Sequence, residues 1–354
     1  MLQLCAFVIT TLMTLNLSLN QSFFRHVNPH IPAWIRLPIK EALRLAQRGG
    51  EALHRRNFGG LPDDFIGEEH VDIRHKERIT ARDFPNAGPL MWLDRPDAAQ
   101  AIEQRLQAGS LTSEQAEYCL HFARHGFVTL PKLVPEEVID AAMTTYVRGR
   151  EDGTLASADG DRRFLNPHLI VPEVRALMRA PGIMSWVERL LGRPAIAFQS
   201  IGAQWGSEQL EHSDAIHMTT YPLGYMVAAW VACEDIHEDA GPLMYYPGSH
   251  KLPYYLSHEA GISPTEFQQR SYACYADKYE PLIQNLKRTH GLSPKYLLVK
   301  KGDVLLWHHN LIHGGSRIKN PELTRKSFVF HYFARGVFCY QDLTSSRFPA
   351  DRLQ

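Results

Sequence analysis

Glu211-His212-Ser213-Asp214, set against Trp307-His308-His309-Asn310-Leu311-Ile312-His313-Gly314-Gly315-Ser316 much later in the chain, is the pair of stretches on which the fold turns. On an extended strand, residues i and i+2 point to the same face. An imidazole at 212 and a carboxylate at 214 would then grip one cation from one side. The third ligand must come from elsewhere in the fold, and His313 is the candidate. Two His and one carboxylate leave several coordination positions open, the pattern of non-haem Fe(II) sites.

With 18 His in 354 residues, chance alone produces such triplets. His70-Val71-Asp72, His212-Ser213-Asp214 and His237-Glu238-Asp239 all fit the spacing, so context must choose. His70-Val71-Asp72 sits amid Glu68, Glu69, Arg74, Lys76 and Glu77 and reads as solvated charge. His237-Glu238-Asp239 falls in the polar turn Glu234 to Gly241, where charges are normally solvated. Only the middle triplet lies on an expected strand of the strand-rich half of the chain.

Composition sets the outer bounds. Hydrophobic content of 44% and charged content of 21% are those of an ordinary globular protein. A net charge of +0 gives no electrostatic case for nucleic acid. The five Cys are scattered without a Cys-x-x-Cys pair, which argues against a zinc ribbon or a disulfide framework.

Three regions follow along the chain. Residues 1–24 carry no charge and form an apolar segment without the basic residues that precede the core of a signal peptide. That segment reads as an N-terminal helix or an early start codon, with a signal or a membrane anchor as alternatives. Residues 25–96 open with Arg36, Lys40, Arg44 and Arg48, which line one face of a basic amphipathic helix and suit either a solvated helix or peripheral membrane contact. The rest of that region, from Gly49, is rich in Gly, Pro and Asp and reads as an irregular arm.

Residues 97–354 form the third region. Helices are expected at Asp97 to Gln107, Thr112 to His125, Val134 to Arg148, Pro172 to Arg179 and Gly182 to Leu191, with a short strand at Gly126 to Leu130. After Gly192 short strands separated by turns take over, the mark of a sandwich or barrel. They are expected at Ala195 to Gly202, Gln209 to Met218, Tyr225 to Cys233, Pro242 to Tyr246, Tyr296 to Val299, Asp303 to His308, Gly315 to Ile318 and Ser327 to Phe333. Lys251 to Ser293 interrupts them with a mostly helical excursion of the kind that often forms a lid.

Phe122-Ala123-Arg124-His125-Gly126-Phe127-Val128, His212-Ser213-Asp214, Ala229-Trp230-Val231-Ala232-Cys233-Glu234-Asp235, Pro247-Gly248-Ser249-His250 and Gly302-Asp303-Val304-Leu305 leading to His313-Gly314-Gly315-Ser316 occur in this order. Together they resemble the phytanoyl-CoA dioxygenase family. The resemblance spans about Thr112 to Arg335 and implies a mainly β fold with flanking helices, a double-stranded β-helix of the jelly-roll, cupin-like kind. It implies Fe(II), with 2-oxoglutarate and O2 as cosubstrates, and a hydroxylase releasing succinate and CO2. His212, Asp214 and His313 would be the metal ligands. Arg325 would pair with the distal carboxylate of 2-oxoglutarate, a task the guanidinium fork suits. Ser316, Trp230 and Gln199 would complete the cosubstrate pocket. Ser316 and Arg325 each stand one residue further from His313 than the family spacing, which a single inserted Gly at Gly314-Gly315 accounts for. Arg317 is the rival for the Arg role. His308, His309 and His331 are further candidates near the metal.

A zinc or manganese hydrolase on the same ligands, and a cupin-like binding or sensing protein without catalysis, are the alternatives. Hydrolysis would not require Arg325, and a pure binder would not require all three ligands. The resemblance leaves the substrate open between small molecules and lipid-like ones. Availability of 2-oxoglutarate and Fe(II) places the expected active site in the cytoplasm, with membrane association as an additional option.

Overall fold

The structure, a computed structural model, describes residues 61–348 except 63, 69, 70, 72, 74, 75, 77 and 156–161. The apolar segment, the basic helix, and His70 and Asp72 of the first triplet lie outside the described residues. The described residues belong to one compact unit.

Two helices lead in, α1 (Ala98–Gln107) and α2 (Ser113–His125). Thr112 caps α2 as expected. Its side chain accepts from the Gln115 amide, and the Gln115 side chain accepts in return from the Thr112 amide. Strand β1 (Phe127–Leu130), α3 (Glu136–Glu151), β2 (Arg163–Leu165), α4 (Pro172–Met178), α5 (Pro181–Leu191) and β3 (Ala195–Ala203) follow. Next come β4 (Thr219–Tyr221), β5 (Met226–Ala232), β6 (Leu243–Tyr245), α6 (Pro264–Arg270) and α7 (Tyr272–Thr289). The chain continues with β7 (Lys295–Tyr296), β8 (Val304–His308), β9 (His313–Gly315), β10 (Ser327–Ala334), β11 (Phe338–Gln341) and β12 (Ser346–Arg347).

A six-stranded antiparallel sheet, in the order β1-β8-β5-β10-β3-β2, forms one wall. Side chains alternate between its faces. Phe328, Phe330, Tyr332, Val227, Ala229, Val231, Val304 and Leu306 point outward into a core shared with α2, α3, α4 and α5. Phe127, Ala228, Trp230, Ala232, Leu305 and Trp307 point inward and meet Leu243 and Tyr245 of the small sheet β7-β6-β9. Two facing sheets with helices packed on the outer side make the double-stranded β-helix, or jelly-roll, expected from the sequence. The third sheet, β12-β11-β4, closes one end, where Tyr221, Phe338 and Tyr340 pack with Val71, Ile73, Ile79 and Phe84. The described part of the irregular arm is thus pinned by apolar contacts.

Several strand expectations need correction. Gln209 to Met218 is not a strand. Only His212 makes a bridge there, to His313, and a 3-10 turn begins at Asp214. Ser213 accepts from the Ala215 amide and Thr219 donates to Ala215 O, so local side-chain bonds curl the segment. The strand expected at Gly315 to Ile318 begins instead at His313, and the one at Tyr296 to Val299 shrinks to Lys295–Tyr296. Strands β2, β4, β11 and β12 were missed; each is four residues or fewer, too short to show alternation.

Candidate metal centre

His212 and His313 hydrogen-bond to each other through both backbone groups, each amide donating to the other's carbonyl at 2.9 Å. Just beyond this ordinary antiparallel pair the two backbones run too close for a side chain between them. A Cβ on Gly314 would come within 2.8 Å of Gln209 O, and one on Gly315 within 2.8 Å of the Glu208 amide nitrogen. The doubled glycine therefore lets residues 207–211 lie directly on β9, which brings the ligand pair to the third ligand.

His212, Asp214 and His313 are all buried, and one ligand atom from each lies within 4.8 Å of the others. Asp214 Oδ1 is 3.7 Å from His212 Nε2 and 3.6 Å from His313 Nε2. These separations leave room for one cation at roughly 2.0–2.2 Å from each atom. The 3-10 turn, rather than strand alternation, aims the Asp214 carboxylate at the imidazoles.

The surroundings fix the donor atoms. His212 Nδ1 lies 3.0 Å from Leu210 O, and His313 Nδ1 lies 2.9 Å from Leu311 O. A carbonyl only accepts, so each Nδ1 carries the proton and each Nε2 presents its lone pair to the common point. Burial first, then the neighbouring His313, pulls the His212 pKa down to about 3 and keeps the ring neutral. Burial alone would raise the Asp214 carboxyl, but His313, His331 and His212 around it hold it well below the usual carboxylate range. Trp307 Nε1 donates to Asp214 Oδ2 at 2.9 Å, and His331 Nε2 lies 3.6 Å from the same oxygen. One carboxylate oxygen is thus tied to β8, while the other faces the imidazoles.

Arg325 is 4% exposed. Its amide donates to Gln204 O and its guanidinium donates to Gly241 O at 3.1 Å, while Nε has no partner among the described residues. Burial, with Arg163 nearby, lowers its pKa to about 10. The guanidinium sits 5.9 Å above the ring of Trp230, whose indole nitrogen is also buried and, among the described residues, has no partner. Arg317, the rival, is exposed. Ser316 is half-buried and donates its hydroxyl to Pro242 O at 2.8 Å. Gln199 is buried on β3 directly opposite His331 of β10, on the inner face of the large sheet.

Sequence reading missed the contribution of Trp307, although the residue lies in the quoted stretch. Its signal is alternation in β8, where Leu305 and Trp307 face inward. It also missed Glu211, which accepts from Tyr246 and Gln284 and pairs with Lys287 in the buried layer beneath His212.

Comparison with known proteins agrees with this geometry. A family model described as phytanoyl-CoA dioxygenase matches residues 122–327. The peroxisomal phytanoyl-CoA dioxygenase of Mus musculus is 28% identical over 288 residues, covering 72% of this chain and 78% of that protein. The ectoine dioxygenase of Bordetella bronchiseptica is 25% identical over 232 residues, covering 60% and 73%. The crystal structure of EctD from S. alaskensis with 2-oxoglutarate and 5-hydroxyectoine superposes with a TM-score of 0.50 at 20% identity, over 63% of this chain and 76% of that one, and speaks to the fold alone. The family match spans more than half of the chain and takes in the three candidate ligands, and the chain belongs to the phytanoyl-CoA dioxygenase family of Fe(II)- and 2-oxoglutarate-dependent oxygenases.

Proposed function

We propose that the protein hydroxylates an unactivated C–H bond of a small, partly apolar molecule, with 2-oxoglutarate converted to succinate and CO2. The carrying observation is the buried convergence of His212 Nε2, Asp214 Oδ1 and His313 Nε2, with both imidazoles fixed in the metal-binding tautomer. Two neutral imidazoles and one carboxylate oxygen fit Fe(II) and leave half of an octahedron open. Bound Fe(II), with 2-oxoglutarate and O2, supplies the oxidising chemistry.

The chain's own residues supply the rest. His212, Asp214 and His313 hold the ion, and Trp307 and His331 orient Asp214. Arg325 receives the distal carboxylate of 2-oxoglutarate. Its burial excludes water, and its unpartnered Nε is available to an anion. Trp230 walls the same pocket. Gln199 offers an amide from β3, and Ser316 joins by turning its hydroxyl away from Pro242 O. Asp214 occupies the position a halide would need, which favours hydroxylation over halogenation. A hydrolase would have no use for a buried, acid-free guanidinium beside Trp230.

The apolar part of the substrate is suggested by one row across the large sheet. Leu165, Ile201, Val329 and Trp230 are successive register partners, so they share the inner face. Exposure runs from 54% at Leu165 to 1% at Trp230, making an apolar ramp from solvent toward the site. A lipid-like substrate suits this ramp and would go with peripheral membrane contact through the N-terminal residues, while the supply of 2-oxoglutarate and Fe(II) favours the cytoplasm. Among the described residues no helix is long and apolar enough to cross a membrane.

The test is anaerobic addition of Fe(II) and 2-oxoglutarate, read by the weak visible metal-to-ligand band, followed by succinate release with an acyl-CoA and with ectoine. The band should form in the wild type, vanish in His212→Ala and need more 2-oxoglutarate in Arg325→Ala. An equal band in both variants would sink the assignment.

A further inference from the structure

Tyr272, Tyr275, Tyr279, Ile283 and Leu286 recur along α7 at helical spacing and form one stripe. The stripe faces the residues that flank the ligands. Tyr279 Oη accepts from the amide of Ser213, the residue between His212 and Asp214, at 3.2 Å. Tyr275 Oη lies 3.3 Å from His217 Nε2, and the His217 ring lies 5.7 Å from that of His212. Further along α7, Gln284 donates to Glu211 at 2.8 Å and Lys287 pairs with the same buried carboxylate, which also accepts from Tyr246. Beneath these contacts lies a separate apolar cluster in which Tyr275, Tyr279, Ile283 and Leu286 pack on Ile216 and Ile312. Ile216 follows Asp214 by two residues, and Ile312 immediately precedes His313.

This helix is the heart of the excursion that sequence reading takes for a lid. Its contacts describe a clamp. The segment 211–217 is not a strand and has no ladder of its own beyond the one bridge at His212. Its curl is held by Ser213 and Thr219, by the turn at His309 and Asn310, which accepts from the Ala215 amide and the Ser213 hydroxyl, and on the opposite side by α7. We infer that α7 positions the metal ligands, with Tyr279 as the key positioning residue acting through the Ser213 amide, so that docking of α7 and metal binding are thermodynamically linked. The inference rests on the metal-site reading above. Linkage is reciprocal: what α7 adds to metal affinity, the metal must add to the docking of α7. Groups that orient ligands from behind typically change metal affinity by about 10–100-fold when removed.

The experiment uses the full-length protein stripped of metal and titrated anaerobically with Fe(II), alongside Mn(II) as a stable probe. Hydrogen exchange of residues 272–289 is followed with and without the ion. In the wild type, metal should slow exchange in α7. Tyr279→Phe keeps the ring, which stacks 4.9 Å from Tyr275, but leaves the Ser213 amide without its acceptor. It should weaken metal binding by about 10-fold and reduce the metal-dependent protection of α7. Tyr146→Phe removes a comparable buried hydroxyl, which donates to Gly202 O at 2.7 Å on the opposite side of the large sheet, and should leave metal affinity unchanged. If Tyr279→Phe binds metal like the wild type, or if metal leaves α7 exchange unaltered, the inference is overturned while the ligand assignment stands. If His212→Ala binds metal like the wild type, the ligand assignment itself has failed. Equal losses in Tyr279→Phe and Tyr146→Phe would show general destabilisation and also overturn the inference.

Discussion

His212-Ser213-Asp214 and His237-Glu238-Asp239 are the same pattern in two environments. The His237 and Asp239 side chains are 57% and 37% exposed, 3.9 Å apart, and Asp239 is shared with Lys319 at 3.2 Å. Both groups face solvent, and an exposed pair of this kind contributes about 0–1 kcal/mol. The His212 and Asp214 side chains are 6% and 5% exposed, and the His313 imidazole converges on them as a third candidate ligand. The difference lies in what stands behind each residue. Carbonyls fix the two ligand imidazoles, an indole fixes the carboxylate, and α7 and the glycine pair hold the backbone. A ligand motif becomes a site only when the fold supplies those supports.

The largest expected effect breaks the comparison at its root. His212→Ala should abolish Fe(II) binding measured by anaerobic titration, whereas His237→Ala should leave it unchanged. A loss of binding in His237→Ala would mean that the exposed triplet is the ligand pair.

Next comes the anchor. Arg325→Gln removes a charged donor whose hydrogen bonds are worth about 1.5–3 kcal/mol each, so 2-oxoglutarate affinity should fall on the order of 100-fold. Arg317→Gln, at an exposed position, should stay within about 2-fold, since surface substitutions usually shift free energies by under 0.5 kcal/mol. Isothermal titration of the Fe(II) form reads both.

Trp307→Phe takes the donor from Asp214 Oδ2 while keeping an aromatic ring in the inner core. Loss of one such support should cost about 10-fold in metal affinity. Equal affinity in this variant would mean that the 3-10 turn and His331 aim Asp214 without help from Trp307.

The last effect concerns pH and tests a support rather than a ligand. Burial pushes the Glu211 carboxyl up, but Lys287, Tyr246 and Gln284 outweigh it and bring the pKa from 4.5 to about 2. A carboxyl depressed in the folded state contributes stability above its unfolded value, and that contribution is lost as pH falls through the folded value. Thermal unfolding of the metal-free protein should therefore show a stability loss between about pH 4.5 and pH 2 that Glu211→Gln flattens. The window would be absent if Glu211 were solvated as Asp239 is.

The strands that read correctly were those with strong apolar runs. Met226-Val227-Ala228-Ala229-Trp230-Val231-Ala232 is buried on both faces, and continuous burial leaves a continuous apolar sequence. The segment around Ser213 misread because its apolar residues suggest a strand while Ser213 and Thr219 curl it locally. The preference for Arg325 over Arg317 rested on family spacing and reach, and neither shows burial. One side chain is covered by the inner layer, while the other points to solvent.

Sequence by itself determined the chemistry available: two imidazoles, a carboxylate, a glycine pair and an arginine, in a fixed order along a strand-rich chain. It could do so because ligand type and local turn preference are properties of short segments. Only the tertiary structure decided which triplet is supported, how His212 meets His313, and that Trp307 and α7 stand behind the ligands. Those contacts join residues far apart in the chain, through sheet register and helix docking. Local sequence does not encode either one segment at a time; both arise when the whole core packs together.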